Sequence, residues 1–266
     1  VYLANWFVSD WVGKVEHPTS ADVIRCALGR EKLVFDPGEQ HEYANLNFLV
    51  LGEIIKIKTG KPYGSVLQEL VLSPMGITPA EVHISLVQRD HNSPGRGANE
   101  AAHYQQNNVK HDSIFERGKR VSESFGGFDT EIAAPYGAIS CSLVGLTKFV
   151  SNLYSSRTIL SRQSMSEILT PPPYAAHQSN TFPNNLHFYS KGFGVELFRG
   201  VPQIAHGGML QHAGAYFGPA NLGDSHQRKY CLVILSNCNL RGSPWVDERL
   251  KETVVQWFKN RFSQKS

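Results

Sequence analysis

Two small sets of side chains in this sequence could do chemistry. The first is Tyr43 and Asn45, inside the stretch FDPGEQHEYANLNFLVLGEIIKIKTG at 35–60. A phenol held at the mouth of a rigid helix can act as a general base or proton relay. It can equally be an ordinary half-buried tyrosine. The second set is His206-Gly207-Gly208, followed by Met209. The two glycines let another backbone approach closely. A histidine beside them can hydrogen-bond a substrate carbonyl or carboxylate while a nearby backbone N–H serves an oxyanion. The plainer alternative is a bulged strand with a solvent-facing histidine.

Other tempting patterns fail on their spacing. His41-Glu42 opens like the zinc-protease HExxH, but the fifth position is Asn45, so the second ligand is missing. Lys58-Thr59-Gly60 matches a KTG triad in letters only, because it closes a helix. A hydrolase that uses KTG needs it on a sheet edge, where backbone groups can pair with an extended substrate. No glycine-rich turn has phosphate-loop spacing. His103, His111, His177, His187, His212 and His226 are scattered through loops and read as solvated, not as metal ligands. Neither a cofactor nor a metal is expected.

The elements that must position these residues are partly visible. Asp36-Pro37-Gly38 makes a turn. A helix follows in which Leu46, Leu49, Val50, Ile54 and Ile57 recur at helical spacing, and Gly60 with Pro62 stops it. Residues 20–29 predict a short helix, and Pro62–Leu72 predicts another before the break at Ser73-Pro74-Met75-Gly76. From Gln88 to Thr130 the composition turns to Asn, Gly, Ser, His and charge, which reads as long surface loops. GAISCSLVGLTKFVSNLY predicts a serine-rich turn and a helix with Leu143, Leu146, Phe149, Val150 and Leu153 on one side. A further helix starts near Ser161 and ends at the prolines 171–173. From Phe188 the short runs FGVELF, IAHGGM, AYFG and YCLVILSN, separated by glycine-rich turns, predict an antiparallel meander. The last stretch, DERLKETVVQWFKNRF, is amphipathic, with Leu250, Val254, Trp257 and Phe258 on the face expected to pack on the sheet.

With 266 residues, 41% hydrophobic and 18% charged, the chain can bury a sizeable core. The expected organisation is one domain over 1–266, helical and loop-rich over 1–187, with strands and a terminal helix over 188–266. A net charge of +3 with no basic run interleaved with aromatics does not argue for nucleic acid. Cys26, Cys141, Cys231 and Cys238 show no CxxC spacing and fix no redox compartment. VYLANWFV is too short to span a bilayer and lacks the features of a signal peptide.

Taken together and in order, PGEQHEYANLNFLVLGEIIKIKTGKPY, VLSPMGI, GAISCSLVGLTKF, YSKGFGVELF, AHGGMLQHAG and LVILSN resemble the serine β-lactamase-related family. That family includes class C β-lactamases, D-alanyl-D-alanine peptidases and related esterases. The resemblance covers residues 20 to 260, with Tyr43 and His206 set 163 positions apart. It implies an α+β, β-lactamase/transpeptidase-like fold: a helical region plus an antiparallel sheet flanked by helices. Tyr43-Ala44-Asn45 matches Y-x-N, which makes Tyr43 the general base or relay and Asn45 the orienter of a substrate amide. His206-Gly207-Gly208 matches the strand motif that is K-T-G or H-x-G, and Met209 would lend a backbone N–H to the oxyanion. The implied partner is a small-molecule or peptide substrate, and family habit implies an exported protein.

The sequence departs from the family pattern in two ways. No serine here is followed three positions later by lysine, whereas the family nucleophile lies in S-x-x-K upstream of Y-x-N. The expectation is that the chain starts partway through a longer protein that encodes this motif roughly 50–110 residues before Tyr43. Without the missing segment the sheet would expose an unpaired edge and apolar side chains, and the isolated 266 residues are expected to aggregate. The alternative is a non-catalytic relative that binds a peptide or protein in the same pocket. The second departure, His206 in place of lysine, attracts a carboxylate less well, which favours esters or small peptides over β-lactams.

Overall fold

The computed structural model describes residues 18–30, 32–84, 100–101, 110–113, 118–121, 126–127, 129–156, 159–174, 186–198, 200–210, 213–220, 230–237 and 248–262. The chain divides into two compact units, 1–34 with 42–149 and 35–41 with 150–266. Each is described on its own terms.

In the first unit, α1 (Ser20–Arg30) begins with a local carboxylate cap. Thr19 N donates to Asp22 Oδ2 at 3.0 Å and Asp22 N donates to Thr19 Oγ1 at 3.2 Å, satisfying two N–H groups a helix start leaves open. Helix α2 (Asn45–Thr59) ends on Gly60, whose φ of 67° is left-handed and whose N–H reaches Lys56 O at 2.8 Å. The core joins these helices through Val23, Leu49 and Ile132, with Ile24, Leu46 and Tyr136 against it. The predicted apolar stripe of α2 is only partly buried. Leu49 is 2% exposed, whereas Ile54 and Ile57 are 47% and 72% exposed, a correction to the expected core face. Burial follows Gly52 instead: a Cβ there would lie 2.7 Å from Pro135 Cβ, so the helix approaches that proline closely because glycine has no side chain.

The predicted helix over Pro62–Leu72 forms as α3 (Tyr63–Leu67), running into a π turn over Gln68–Leu72. Two short antiparallel pairs follow. β1 (Val82–Ile84) pairs with β4 (Ile139–Cys141), and β2 (His111–Asp112) pairs with β3 (Arg120–Val121). Between them, α4 (Thr130–Ala133) is capped by Asp129, whose carboxylate accepts from Glu131 N and Ile132 N. Most of the stretch expected to form long loops lies outside the described residues.

Helix α5 (Leu143–Ser151) runs across the division into a π turn at Asn152–Ser156. Val150 and Leu153 are buried as their spacing predicts, but Leu143 is 54% exposed, because the first turn of the helix lies at the end of the apolar stripe. In the second unit, α6 (Arg162–Leu169) starts where predicted, with Ser161 Oγ accepting from Ser164 N at 3.0 Å. The expected meander is a five-stranded antiparallel sheet. Its order is β5 (Leu186–Ser190), β6 (Phe193–Phe198), β7 (Val201–Leu210), β8 (Ala213–Ala220), β9 (Tyr230–Ser236). Phe188, Val195 and Ile204 are almost fully buried across β5, β6 and β7. The terminal helix α7 (Glu248–Phe262) forms. Trp257, expected on its packed face, is 55% exposed. Among the described residues, no helix is long and apolar enough to cross a membrane.

Candidate active site

Tyr43 and Asn45 sit at the start of α2. Ala44 is the N-cap, extended at φ −140° and ψ 119°, and offers no side-chain cap. Asn45 is therefore the first helical residue and is half-buried, while Tyr43 lies one step outside the helix and is 44% exposed. The position suits a group that meets an incoming molecule. The helix behind it is fixed by Leu49 in the core and by a polar clamp.

That clamp contains a serine and a lysine, which invites a nucleophile reading. Lys56 Nζ donates to Ser20 Oγ at 3.1 Å and to Glu53 Oε2 at 2.9 Å. Ser20 Oγ in turn donates to Glu53 Oε2 at 2.5 Å. The serine proton is committed to a carboxylate, and lysine enters as a donor, not as an acceptor. Burial opposes ionisation of Glu53, but the hydrogen bonds from Ser20 and Lys56 and the lysine charge outweigh it and hold the carboxyl below its ordinary range. The arrangement ties α1 to α2, and the base it gives Ser20, the Glu53 carboxylate, is a weak one because the same hydrogen bonds hold it ionised.

A second polar cluster lies on the β1–β4 ribbon, where His83 and Ser140 are directly opposite. Ser140 Oγ donates to Glu100 Oε1 at 2.8 Å, and His83 Nε2 is 3.7 Å from Glu100 Oε2. His83 also lines a groove of about 610 Å³ with Gly64, Gln68, Leu72, Val82 and Ile84. None of Tyr43, Asn45, His206, Gly207, Gly208 and Met209 borders that groove.

His206, Gly207, Gly208 and Met209 lie on β7 as predicted. The strand is paired on one side at a time. Its ladder with β6 runs from Phe198↔Val201 to Gly194↔Ala205 and stops. Its ladder with β8 continues from His206↔Phe217 to Leu210↔Ala213. Beyond Ala205, then, β7 overhangs β6, which has turned away through Lys191 and Gly192, both at positive φ. The overhang is the His-Gly-Gly-Met segment. Its own unit braces it from behind. The Tyr154 hydroxyl donates to the Ile204 carbonyl, and burial raises its pKa, so the phenol keeps its proton. Tyr216, paired with Gly207, donates from its hydroxyl to the buried Glu196 Oε1 at 3.1 Å.

His206 is half-buried, and burial pulls its imidazole below the usual histidine range, partly offset by a hydrogen bond to the Gly207 backbone. Its Nε2 is 3.1 Å from the Tyr189 hydroxyl. The Tyr189 ring in turn lies 5.4 Å from His41, which stacks on Tyr174 at 5.8 Å. Neither Tyr189 nor this place for His41 was visible in the sequence, since the partners are 17 and more residues apart and no spacing rule joins them. Tyr43 and Asn45 belong to the first unit, and His206 to Met209 belong to the second. Of the other histidines, His103, His177, His212 and His226 lie outside the described residues. Among those described, no group of three or more His, Cys, Asp or Glu could hold a metal.

The family model for Beta-lactamase matches residues 4–254. This chain belongs to the β-lactamase family. Both Y-x-N and the His-Gly-Gly strand fall inside the matched span. No curated protein matches the sequence. Among solved structures, the chain is similar to the D-amino acid amidase from Ochrobactrum anthropi SV3 complexed with D-phenylalanine, with TM-score 0.63 and 16% identity over 97% of this chain and 69% of that one. It is also similar to a β-lactamase/D-alanine carboxypeptidase from Yersinia pestis, with TM-score 0.58 and 13% identity over 93% and 64%. An octameric penicillin-binding protein homologue from Pyrococcus abyssi gives TM-score 0.57 and 18% identity over 90% and 48%. The chain thus spans about half to two thirds of the length of these proteins. The fold is that of the β-lactamase family's serine hydrolases, an α+β arrangement of helices and antiparallel sheet.

Proposed function

We propose that this β-lactamase-family chain serves an acyl-enzyme serine hydrolase acting on an ester, amide or peptide. The observation that carries the reading is the overhang of β7. From His206 onward the strand has β8 on one side and no β6 pairing on the other, so an extended substrate can add its backbone there. The Met209 N–H is the oxyanion donor in this reading, and Gly207 and Gly208 keep the approach open. Tyr43 accepts the serine proton as oxygen attacks the carbonyl and delivers it to the leaving group. Asn45 holds the substrate amide, and water then breaks the acyl ester by the reverse proton path.

The 266 residues contain no S-x-x-K, so the nucleophile and its lysine are not among them. Removing the nucleophile of such an enzyme costs about 10⁶-fold in turnover. A single oxyanion donor supplies only about 10²–10³-fold, so these residues alone are close to inert. The same absence supports the second reading, a non-catalytic relative that binds a peptide or protein in this pocket. By family habit the protein is exported.

Labelling with a fluorophosphonate and a fluorescent penicillin separates the readings. The 266 residues alone should take up no label, and the protein expressed with its in-frame upstream coding sequence should form a covalent adduct on a serine. Failure of both probes on that longer protein would leave the binding-only reading.

A further inference from the structure

We infer that Tyr154 is a positioning residue for the candidate site: its hydroxyl takes the place of the N–H that Pro219 lacks and fixes β7 where the strand enters His206-Gly207-Gly208. The effect on turnover rests on the hydrolase reading of that segment, but the bond and the placement of the strand do not.

Two prolines reveal which way the backbone of each strand points. In an antiparallel ladder, pairs that exchange hydrogen bonds alternate with pairs that do not, and a proline keeps the ladder whole only at a pair of the second kind. Pro202 of β7 stands opposite Leu197 of β6. That pair therefore exchanges no bonds, Gln203 with Glu196 does, and Ile204 with Val195 again does not. The N–H and C=O of Ile204 point away from β6, toward β8. Pro219 of β8 stands opposite Cys231 of β9, so by the same rule its nitrogen faces away from β9, toward β7.

These two groups fall at the same place. The β7–β8 ladder runs from Leu210↔Ala213 to His206↔Phe217. Two further steps would set Ile204 opposite Pro219, as a pair that exchanges hydrogen bonds. Pro219 has no N–H to give, so the carbonyl of Ile204, a residue only 2% exposed, has no ladder donor. The ladder stops at His206, and the Tyr154 hydroxyl donates to the Ile204 carbonyl instead. A carbonyl only accepts, so the direction of this bond is fixed. Tyr154 comes from the π turn Asn152–Ser156, which the buried Val150 and Leu153 hold in place. The same alternation turns the backbone groups of Gly207 and Met209 away from β8, to the side left open where the β6 ladder ends. Their aim depends on where β7 lies two residues before His206, and there the Tyr154 bond holds it.

The test is a rescue, because Pro219→Ala supplies the missing N–H. Urea midpoints are compared on the full chain for Tyr154→Phe, Pro219→Ala and the double variant, with backbone amide exchange followed by NMR. Tyr154→Phe should lower the midpoint and speed exchange at His206 and Phe217, while Glu196 and Gln203, in the β6 ladder, keep their protection. In the double variant most of the lost midpoint should return, together with the protection of His206 and Phe217. An equal loss from Tyr154→Phe with and without Pro219→Ala overturns the inference, and so does exchange that speeds up equally in both ladders, since Tyr154 would then act through packing alone. Absence of any effect of Tyr154→Phe overturns it too. Pro219→Ala alone should fold, and a protein that unfolds on this change overturns the reading of Pro219 as a missing donor. Should Tyr154→Phe not fold, the double variant should, and its failure counts against the inference. No turnover enters these readouts, so a failure of the hydrolase reading in the labelling experiment is distinguishable from a failure here.

Discussion

Helix α2, which carries Asn45, and strand β7, which carries His206, hold their candidate residues in opposite ways. The helix is anchored at a few points: Leu49 in the core, Gly52 against Pro135, and the clamp from Ser20 to Glu53 and Lys56. Much of its surface, including Leu51, Ile54 and Ile57, is exposed. The strand is held along its length by ladders, and Gln203, Ile204 and Ala205 are buried just before the site begins. The same type of residue should therefore count heavily in one element and hardly at all in the other. This contrast arises because every residue of the strand is tied into one ladder or the other and Gln203 to Ala205 are buried, whereas a helix meets its neighbours along one stripe.

The largest effect expected from the contrast is at Ile204. It is 2% exposed, so Ile204→Ala removes buried methyl groups and leaves a cavity in a region that cannot close around it. A loss of about 2–5 kcal/mol is expected, read as a lower urea midpoint with an unchanged slope. A loss under about 1 kcal/mol would mean that β7 is not the rigid element described.

The clamp gives a smaller effect with a pH signature. Ser20→Ala should cost about 1–2 kcal/mol at neutral pH, since it removes a hydrogen bond to a charged group. Glu53 has its carboxyl held below its ordinary value in the folded protein. A depressed folded value means that the carboxylate adds stability above its unfolded pKa, and that this stability is lost as pH falls through the folded one. The difference between Ser20→Ala and the unaltered protein should thus be full at pH 7 and shrink below about pH 4.5. Urea titrations at pH 7 and pH 3 check this, and an equal difference at both would show that Ser20 contributes through packing alone.

Much of this architecture was legible in the residues because it depends on local chemistry. Gly60, Ser161 and the glycine-rich turns mark element ends through backbone geometry and capping, and the alternating runs after Phe188 do form the meander. Y-x-N and His-Gly-Gly were readable as motifs, and their places on a helix start and a strand follow from their flanks. What was not legible depends on register. The end of the β6 ladder at Ala205, which leaves the site segment only the β8 ladder among the described residues, is a matter of where one hairpin turns. Tyr189 meets His206 although its register partners are Gly194 and, beyond it, Ala205, and the apolar stripe of α2 loses its outer residues because Gly52, not Ile54 or Ile57, faces Pro135. Periodicity identifies a face but cannot say how much of it finds a partner.

The smallest effect sharpens the same point at Ile57. At 72% exposure it has little to lose, so Ile57→Gln should change stability by less than about 0.5 kcal/mol, with a comparable helix propensity at that position. Its effect should fall instead on association. Leu51, Ile54 and Ile57 put three large apolar side chains on the surface of one helix, with Leu28 exposed on α1. Contiguous apolar surface of this kind promotes contact between molecules. Sedimentation at increasing concentration should show weaker self-association in Ile57→Gln, and weaker still in Leu51→Gln/Ile54→Gln/Ile57→Gln, at nearly constant melting temperature. If the triple variant instead melts much earlier, those side chains are buried in solution, and α2 is held on more than one stripe.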